Sequence, residues 1–156
     1  MNSKLRSLGI FILLNIGWYF SAKAQNTAMS HADSLNHTLE VYYELNKTIF
    51  QANSKPEDID QLFTHFTDDF TYVHPKYGGV YSRTDLYNGY INNQAQGDYD
   101  GSVVGYKITN KIVGLNAIVV SRKYLLKKNN KTTEGENQMT LFEFRNGKIS
   151  RIFEYW

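Results

Sequence analysis

Between Phe63 and Gly79 the hydrophobic period of the chain changes from that of a helix to that of a strand, and the rest of the chain is organised around this change. Ile59, Leu62, Phe63 and Phe66 recur at helical spacing, whereas Phe70, Tyr72 and His74 alternate with Thr71 and Val73 at the period of a strand. Pro75 stops that strand, because it has no N–H to give to a ladder, and Tyr77-Gly78-Gly79 supplies a turn. A helix must therefore run directly into an extended segment that presents Tyr72 and His74 on one face. Asp68 and Asp69 stand at the expected junction, and adjacent carboxylates there do not face each other. A local cap or turn role suits them better than paired acid/base work.

On the N-terminal side, Ser30 or Asp33 can cap a long helix whose Leu35, Leu39, Tyr42, Ile49 and Phe50 are spaced by threes, fours and sevens. It breaks at Asn53-Ser54-Lys55-Pro56, where Ser54 and Glu57 have the spacing of a capping box for a second, shorter helix. On the C-terminal side, Gly79-Val80-Tyr81 can return as a short strand. Ser82 to Asp85 reads as the cap of a third helix carrying Leu86, Tyr87, Tyr90 and Ile91, which ends near Gly97. Beyond Tyr99 the pattern is β: strands are expected at 102–113, 115–128, 132–144 and 148–156, with Asn146-Gly147 a strong hairpin signal. Long antiparallel strands following helices make a curved sheet with helices packed on one face, an α+β architecture.

One globular domain is the default for 156 residues with 42% hydrophobic and 21% charged side chains. Residues 1–24 are read apart from it as a secretory signal peptide. Lys4 and Arg6 form a basic start, Leu8 to Phe20 is mostly apolar, and Ala22-Lys23-Ala24 is a small-residue cleavage site. A retained anchor is the alternative, but the run holds Asn15 and Gly17 and falls short of the roughly 20 residues a bilayer crossing takes. The expectation is a secreted or periplasmic domain of residues 25–156, off the membrane once the signal is cut. Losing Lys4, Arg6 and Lys23 turns the formal net charge of +2 slightly negative. The longest basic run left is Lys127-Lys128, so nothing resembles a nucleic-acid footprint. Without cysteine there is no disulfide framework, thiolate nucleophile or lipid attachment through an N-terminal cysteine. The sequons at Asn36, Asn46 and Asn130 would matter only in a eukaryotic secretory pathway.

The order of these elements, the run from Phe66 to Pro75, the Gly79-Val80-Tyr81 strand entering the third helix, and the ending from Asn146 to Trp156 together resemble the NTF2-like superfamily. More narrowly they resemble its SnoaL-like and ketosteroid-isomerase-like groups. The resemblance spans the chain from residue 25. It implies a cone, three N-terminal helices packed in a strongly curved antiparallel sheet with a pocket open at one end. It also implies homodimers through the outer sheet face, and functions that range from isomerases, dehydratases, cyclases and epoxide hydrolases to simple binding.

In the isomerase-like pattern an acid directly before the proline is the general base, and His74 stands at that place here. Imidazole can shuttle a proton near neutral pH, with a reference pKa of about 6.5, but isomerase activity does not carry over from a carboxylate to a histidine. His74 could equally line a polar pocket or cap a strand end. Epoxide-hydrolase-like members place an Arg and an acid two apart on one strand and another acid on the last strand. Arg122 and Glu154 match two of these places, and Tyr124 replaces the third. Two readings stand for the pair: it orients a ligand's carbonyl or carboxylate, or it is a buried structural pair.

Ile118, Val120, Arg122 and Tyr124 share a strand face by alternation, as do Ser150, Ile152, Glu154 and Trp156. Candidate catalytic residues are thus His74, Glu154 and Arg122, and candidate ligand-binding residues are Tyr42, Tyr72, Tyr77, Tyr90, Tyr124 and Ile152. Tyrosine supplies an apolar wall with a hydroxyl to orient a ligand. Tyr106, Phe142, Phe144, Phe153 and Tyr155 are read as an outer dimer face. The four histidines lack ligand spacing, and there is neither a phosphate-cradling glycine loop nor a nucleophile elbow, so no metal and no cofactor is expected. The expected function is binding of a small, partly apolar molecule in the cone. Proton-transfer catalysis through His74 and protein interaction through the outer sheet are the alternatives.

Overall fold

The computed structural model describes residues 29–156, so the signal-peptide reading of residues 1–24 lies outside the described residues. Ser30 opens the first helix, α1 (His31–Ile49), its hydroxyl accepting from the Asp33 N–H at 3.1 Å. The second, α2 (Pro56–Phe63), starts one residue later than the Ser54 reading. Pro56 sits in the first turn, and the Lys55 N–H donates to the Asp58 carboxylate at 2.7 Å.

Strand β1 (Phe66–His74) begins earlier than expected, so Phe66 is a strand residue and Asp68 and Asp69 lie exposed within the strand instead of at its edge. A single 3₁₀ turn (Pro75–Tyr77) and Gly78 at φ 112° return the chain through β2 (Gly79–Ser82). The third helix, α3 (Arg83–Gln96), carries the expected cap. Asp85 N–H donates to Ser82 Oγ, the Ser82 N–H donates to the Asp85 carboxylate, and Gly97 closes the helix at φ 78°.

The β half is β3 (Val103–Val113), β4 (Ala117–Lys128), β5 (Lys131–Glu134), β6 (Gln138–Arg145) and β7 (Lys148–Glu154). The single strand expected at 132–144 is two, because Gly135 to Asn137 leaves the ladder. β4 then pairs with β5 at one end and with β6 at the other. The sheet order is β2-β1-β7-β6-β4-β3. One pair departs from the antiparallel expectation: β1 runs parallel to β7, so the sheet is mixed. Asn146 and Gly147, at φ 53° and 74°, form the β6–β7 hairpin that the sequence signals.

Extra residues in β3 and β7 bend the sheet. The bulge in β7 falls at Ser150, so Ile149 and Ile152 both face inward and Ser150 is displaced from the face that alternation assigns it. The sheet curls around the helices without closing. Its concave face and the helices bury Leu39, Ile49, Ile59, Leu62, Phe63, Phe66, Phe70, Ile118, Phe142 and Ile149.

On the convex face, cross-strand registers line up one apolar row across the six strands of that order, running Ile112, Val119, Leu141, Phe153, Val73 and Val80. Phe153 and Tyr155 of the expected outer patch lie on this side, with rings stacked at 4.3 Å. Phe142 and Phe144 do not: they are buried in the core, and Tyr106 turns inward to pack, with rings tilted, against Tyr43 at 4.7 Å. Phe142 and Phe144 alternate regularly with Thr140 along β6, and that face of the strand is the concave one.

Candidate functional site

The curl leaves a cavity of about 320 Å³ between the concave sheet and the helices. Strand alternation supplies one wall: Tyr106, Arg122 and Tyr124 from β3 and β4, Tyr72 and Tyr81 from β1 and β2, and Glu154 with Trp156 from the end of β7. The helices supply the other, with Tyr42, Tyr43, Asn46 and Phe50 from α1 and Tyr90 from α3. Asn46 is buried and spent on structure. Its amide donates to the Tyr42 carbonyl at 2.9 Å and its Oδ1 accepts from the Tyr90 hydroxyl at 2.6 Å, which leaves no room for a glycan at that sequon.

Of the residues picked out from the sequence, Tyr42, Tyr72, Tyr90, Tyr124, Arg122 and Glu154 meet in this cavity. Ile152 is on the same side of the sheet but packs into the core beneath the cavity. Tyr77 is 58% exposed on the turn after β1 and does not line it. His74 is 1% exposed and stands one side chain behind the wall, with Trp156 edge-on at 4.5 Å and Tyr77 at 4.4 Å. Among the described residues neither of its ring nitrogens has a hydrogen-bond partner. Burial pulls its pKa below the ordinary histidine value against the opposing pull of Glu154, so the ring is neutral at pH 7.

Sequence reading missed Tyr43, Tyr81 and Trp156. Tyr43 adjoins Tyr42 on a helix whose buried arc is wide enough to take both. Tyr81 could have been found as the cross-strand partner of Tyr72. Trp156 was assigned to the right face but given no role, because nothing in an alternation pattern says which residue reaches a cavity.

Arg122 and Glu154 are the charged pair of the cavity, 4% and 3% exposed. Their nearest approach, Nη2 to Oε1, is 3.7 Å, which is an ion pair without a hydrogen bond. Each is held by neutral groups instead. Arg122 Nη1 donates to Gln138 Oε1 at 2.6 Å, and the guanidinium lies 4.5 Å over the Tyr124 ring and 5.7 Å from that of Tyr106. Glu154 Oε2 accepts from Thr140 Oγ1 at 2.5 Å and from Trp156 Nε1 at 2.6 Å. Burial opposes the arginine's charge, yet Tyr124, Tyr43 and Glu154 keep its pKa above the usual value. Burial also raises Tyr42, Tyr43, Tyr72, Tyr90 and Tyr106, so their hydroxyls remain protonated donors at neutral pH. The site is an aromatic cup with a buried ion pair, neutral overall, in its wall.

Among the described residues no three His, Asp or Glu side chains come together as metal ligands, and no helix is long and apolar enough to cross a membrane. Asp69 pairs with Arg145 at the surface, away from the cavity.

No family model and no curated protein sequence matches the chain. Solved structures do. An NTF2-like protein of unknown function from Cytophaga hutchinsonii superposes with a TM-score of 0.53 at 13% identity, covering 81% of this chain and 98% of that one. An NTF2-like protein from Anabaena variabilis gives 0.53 at 16% identity over 83% and 93%. A de novo designed protein with a curved β-sheet gives 0.51 at 19% identity over 81% and 86%. At such identities the likeness is one of backbone. That a designed sheet shares it shows that the curvature by itself carries no chemistry.

Proposed function

With the NTF2-like fold as its frame, we propose that this protein binds a small, partly apolar molecule in the cone cavity, where the tyrosines supply contact area and the Arg122–Glu154 pair fixes orientation. The observation that carries the reading is the cavity itself. Its volume of about 320 Å³ falls within the span of small-molecule sites, and its wall is mostly aromatic with a few converging polar groups. Trp156 is the only tryptophan outside residues 1–24 and it lines the cavity, so its fluorescence reports on occupancy. In a Trp18→Phe background, titration with bicyclic hydrocarbons and ketones should change that emission saturably. Emission indifferent to every compound, with no protection against thermal unfolding, would rule the reading out.

Proton transfer is the second reading, supported by the two unpartnered ring nitrogens of His74. A neutral imidazole so placed is a competent base, and movement of Trp156 would bring it to the cavity. An NMR titration of His74 with and without a bound ketone tests this. A pKa that does not respond to any cavity ligand counts against it.

Two further elements belong to the reading. The apolar row on the convex face would pair with a second copy, because an apolar row bordered by the mutually paired Arg151 and Glu143, 3.6 Å apart, is self-complementary and carries no net charge of its own. Sedimentation should then show a dimer that Phe153→Glu dissociates. Export with removal of residues 1–24 is supported by the tripartite start of the sequence, and the mass of the exported product would test it.

A further inference from the structure

The wall that α3 gives to the cavity has a gap in it. Asp85, Leu86, Gly89, Tyr90 and Asn93 line the cavity from that helix, and Asp85, Gly89 and Asn93 fall four apart, on one line along its side. Leu86 and Tyr90 pack against the core. Asp85 and Asn93 are exposed while Gly89 between them is half-buried, so this line belongs to the rim of the cup.

A glycine inside a helix of 14 residues costs stability relative to alanine, and the usual structural reasons for one do not apply at residue 89. Its φ is not positive, so an ordinary side chain could adopt the same backbone. Nor does another element approach it: among the described residues, a Cβ added there would meet nothing within 4 Å outside its own stretch of helix. The missing side chain leaves open space at the rim. Polar groups flank that space along the helix. Asp85 Oδ2 accepts from the Ser82 N–H at 2.9 Å and from its hydroxyl at 2.7 Å, and Oδ1 has no partner among the described residues. An ionised carboxylate only accepts, so a ligand group that meets it there has to donate.

We infer that Gly89 is a specificity-determining residue: it keeps open a slot beside α3 through which a ligand longer than the cup extends to the surface. The ligand is an elongated amphipathic molecule, apolar in the cup and ending in a hydroxyl-type donor near Asp85 and Asn93. This rests on the cavity-binding reading and adds the shape and chemical class of the ligand.

The test uses 2-phenylethanol, 8-phenyloctan-1-ol and the methyl ether of the latter, titrated at pH 7 against Trp156 emission in the Trp18→Phe protein. The same titrations are run with Gly89→Leu, and with Asn88→Leu as the control, since Asn88 is exposed and does not line the cavity. Gly89→Leu should weaken the long alcohol about tenfold or more and 2-phenylethanol less than threefold, because only the long chain crosses the slot. Asn88→Leu should change neither. The ether, which cannot donate, should bind several-fold weaker than its alcohol. If Gly89→Leu weakens both alcohols by one factor, or neither, the slot is overturned, while binding of the short alcohol to wild type leaves the cavity reading standing. If the ether binds as well as the alcohol, the assignment of the polar end falls. If no alcohol and no bicyclic compound changes the emission, both readings fall together. Gly89→Ala keeps the slot testable should the leucine variant fail to fold: a methyl set in open space in a helix should raise the urea midpoint, and a lowered midpoint would show that the space is not open.

Discussion

Replacing Arg122 by Met removes the charge but keeps most of the stem, and it isolates what the buried pair contributes. At 3.7 Å and an effective dielectric of about 20, the gross attraction between the two charges is about 4 kcal/mol. Truncation gives back the cost of keeping a guanidinium out of water, but it leaves Glu154 negative, 3% exposed and without a counter-charge. Its two neutral donors, Thr140 and Trp156, soften the loss. A net cost of about 3 kcal/mol follows, at the low end for breaking a buried pair. Glu154→Gln should cost less, about 2 kcal/mol, because Arg122 retains Gln138 and the Tyr124 ring. The double variant leaves no charge unpaired and should lie within about 1 kcal/mol of wild type. Urea unfolding at pH 7 of all four proteins closes the cycle. The coupling should be about 4 kcal/mol. Single costs that add to within about 0.5 kcal/mol would refute the reasoning and show that each side chain is held by its neutral partners alone.

Other outcomes follow from the same geometry. His74 has a folded pKa below its unfolded value of about 6.5, so the unfolded chain takes up the proton first. Its contribution to stability is present above pH 6.5 and is lost as the pH falls through the folded pKa. His74→Phe should flatten that part of the pH–stability curve, leaving the slope of the same sign from His65. It should leave stability at pH 7 unchanged or higher, since two unsatisfied nitrogens are removed. Phe142→Ala, at a 1% exposed ring packed edge-on against Tyr42 at 5.1 Å, should cost about 3–5 kcal/mol by denaturant unfolding and loosen the cavity wall. Ser82→Ala should cost about 1 kcal/mol and shift α3, since the Asp85 N–H loses its acceptor. Amide exchange in residues 83–86 would show the fraying.

Much of the architecture was legible because local rules fixed it. The three helices announce themselves through caps at Ser30 and Ser82 and through Pro56. The hairpin at Asn146-Gly147 follows from the positive φ that those residues tolerate. Alternation put Ile118, Val120, Arg122 and Tyr124 on one face correctly, since β4 is regular along that stretch. Two errors fall where the ladder is irregular: Ser150 is a bulge residue, and residues 135–137 split a strand in two. Phe142 and Phe144 keep the regular alternation of β6 with Thr140, and they were read as outward because alternation does not say which face curls inward.

By itself, then, the sequence determined the order and kind of the elements, the concave-facing residues of the regular strands and the tyrosine-rich character of the cavity. These depend on neighbours within a few positions. The tertiary structure alone decided that β7 slots beside β1 in parallel, that His74 stands behind Trp156 instead of facing the cavity, and that Arg122 and Glu154 spend their hydrogen bonds on neutral groups and stop short of each other. Such features depend on curvature, and curvature is the sum of bulges and packing contacts between residues far apart in the chain, which no local pattern records.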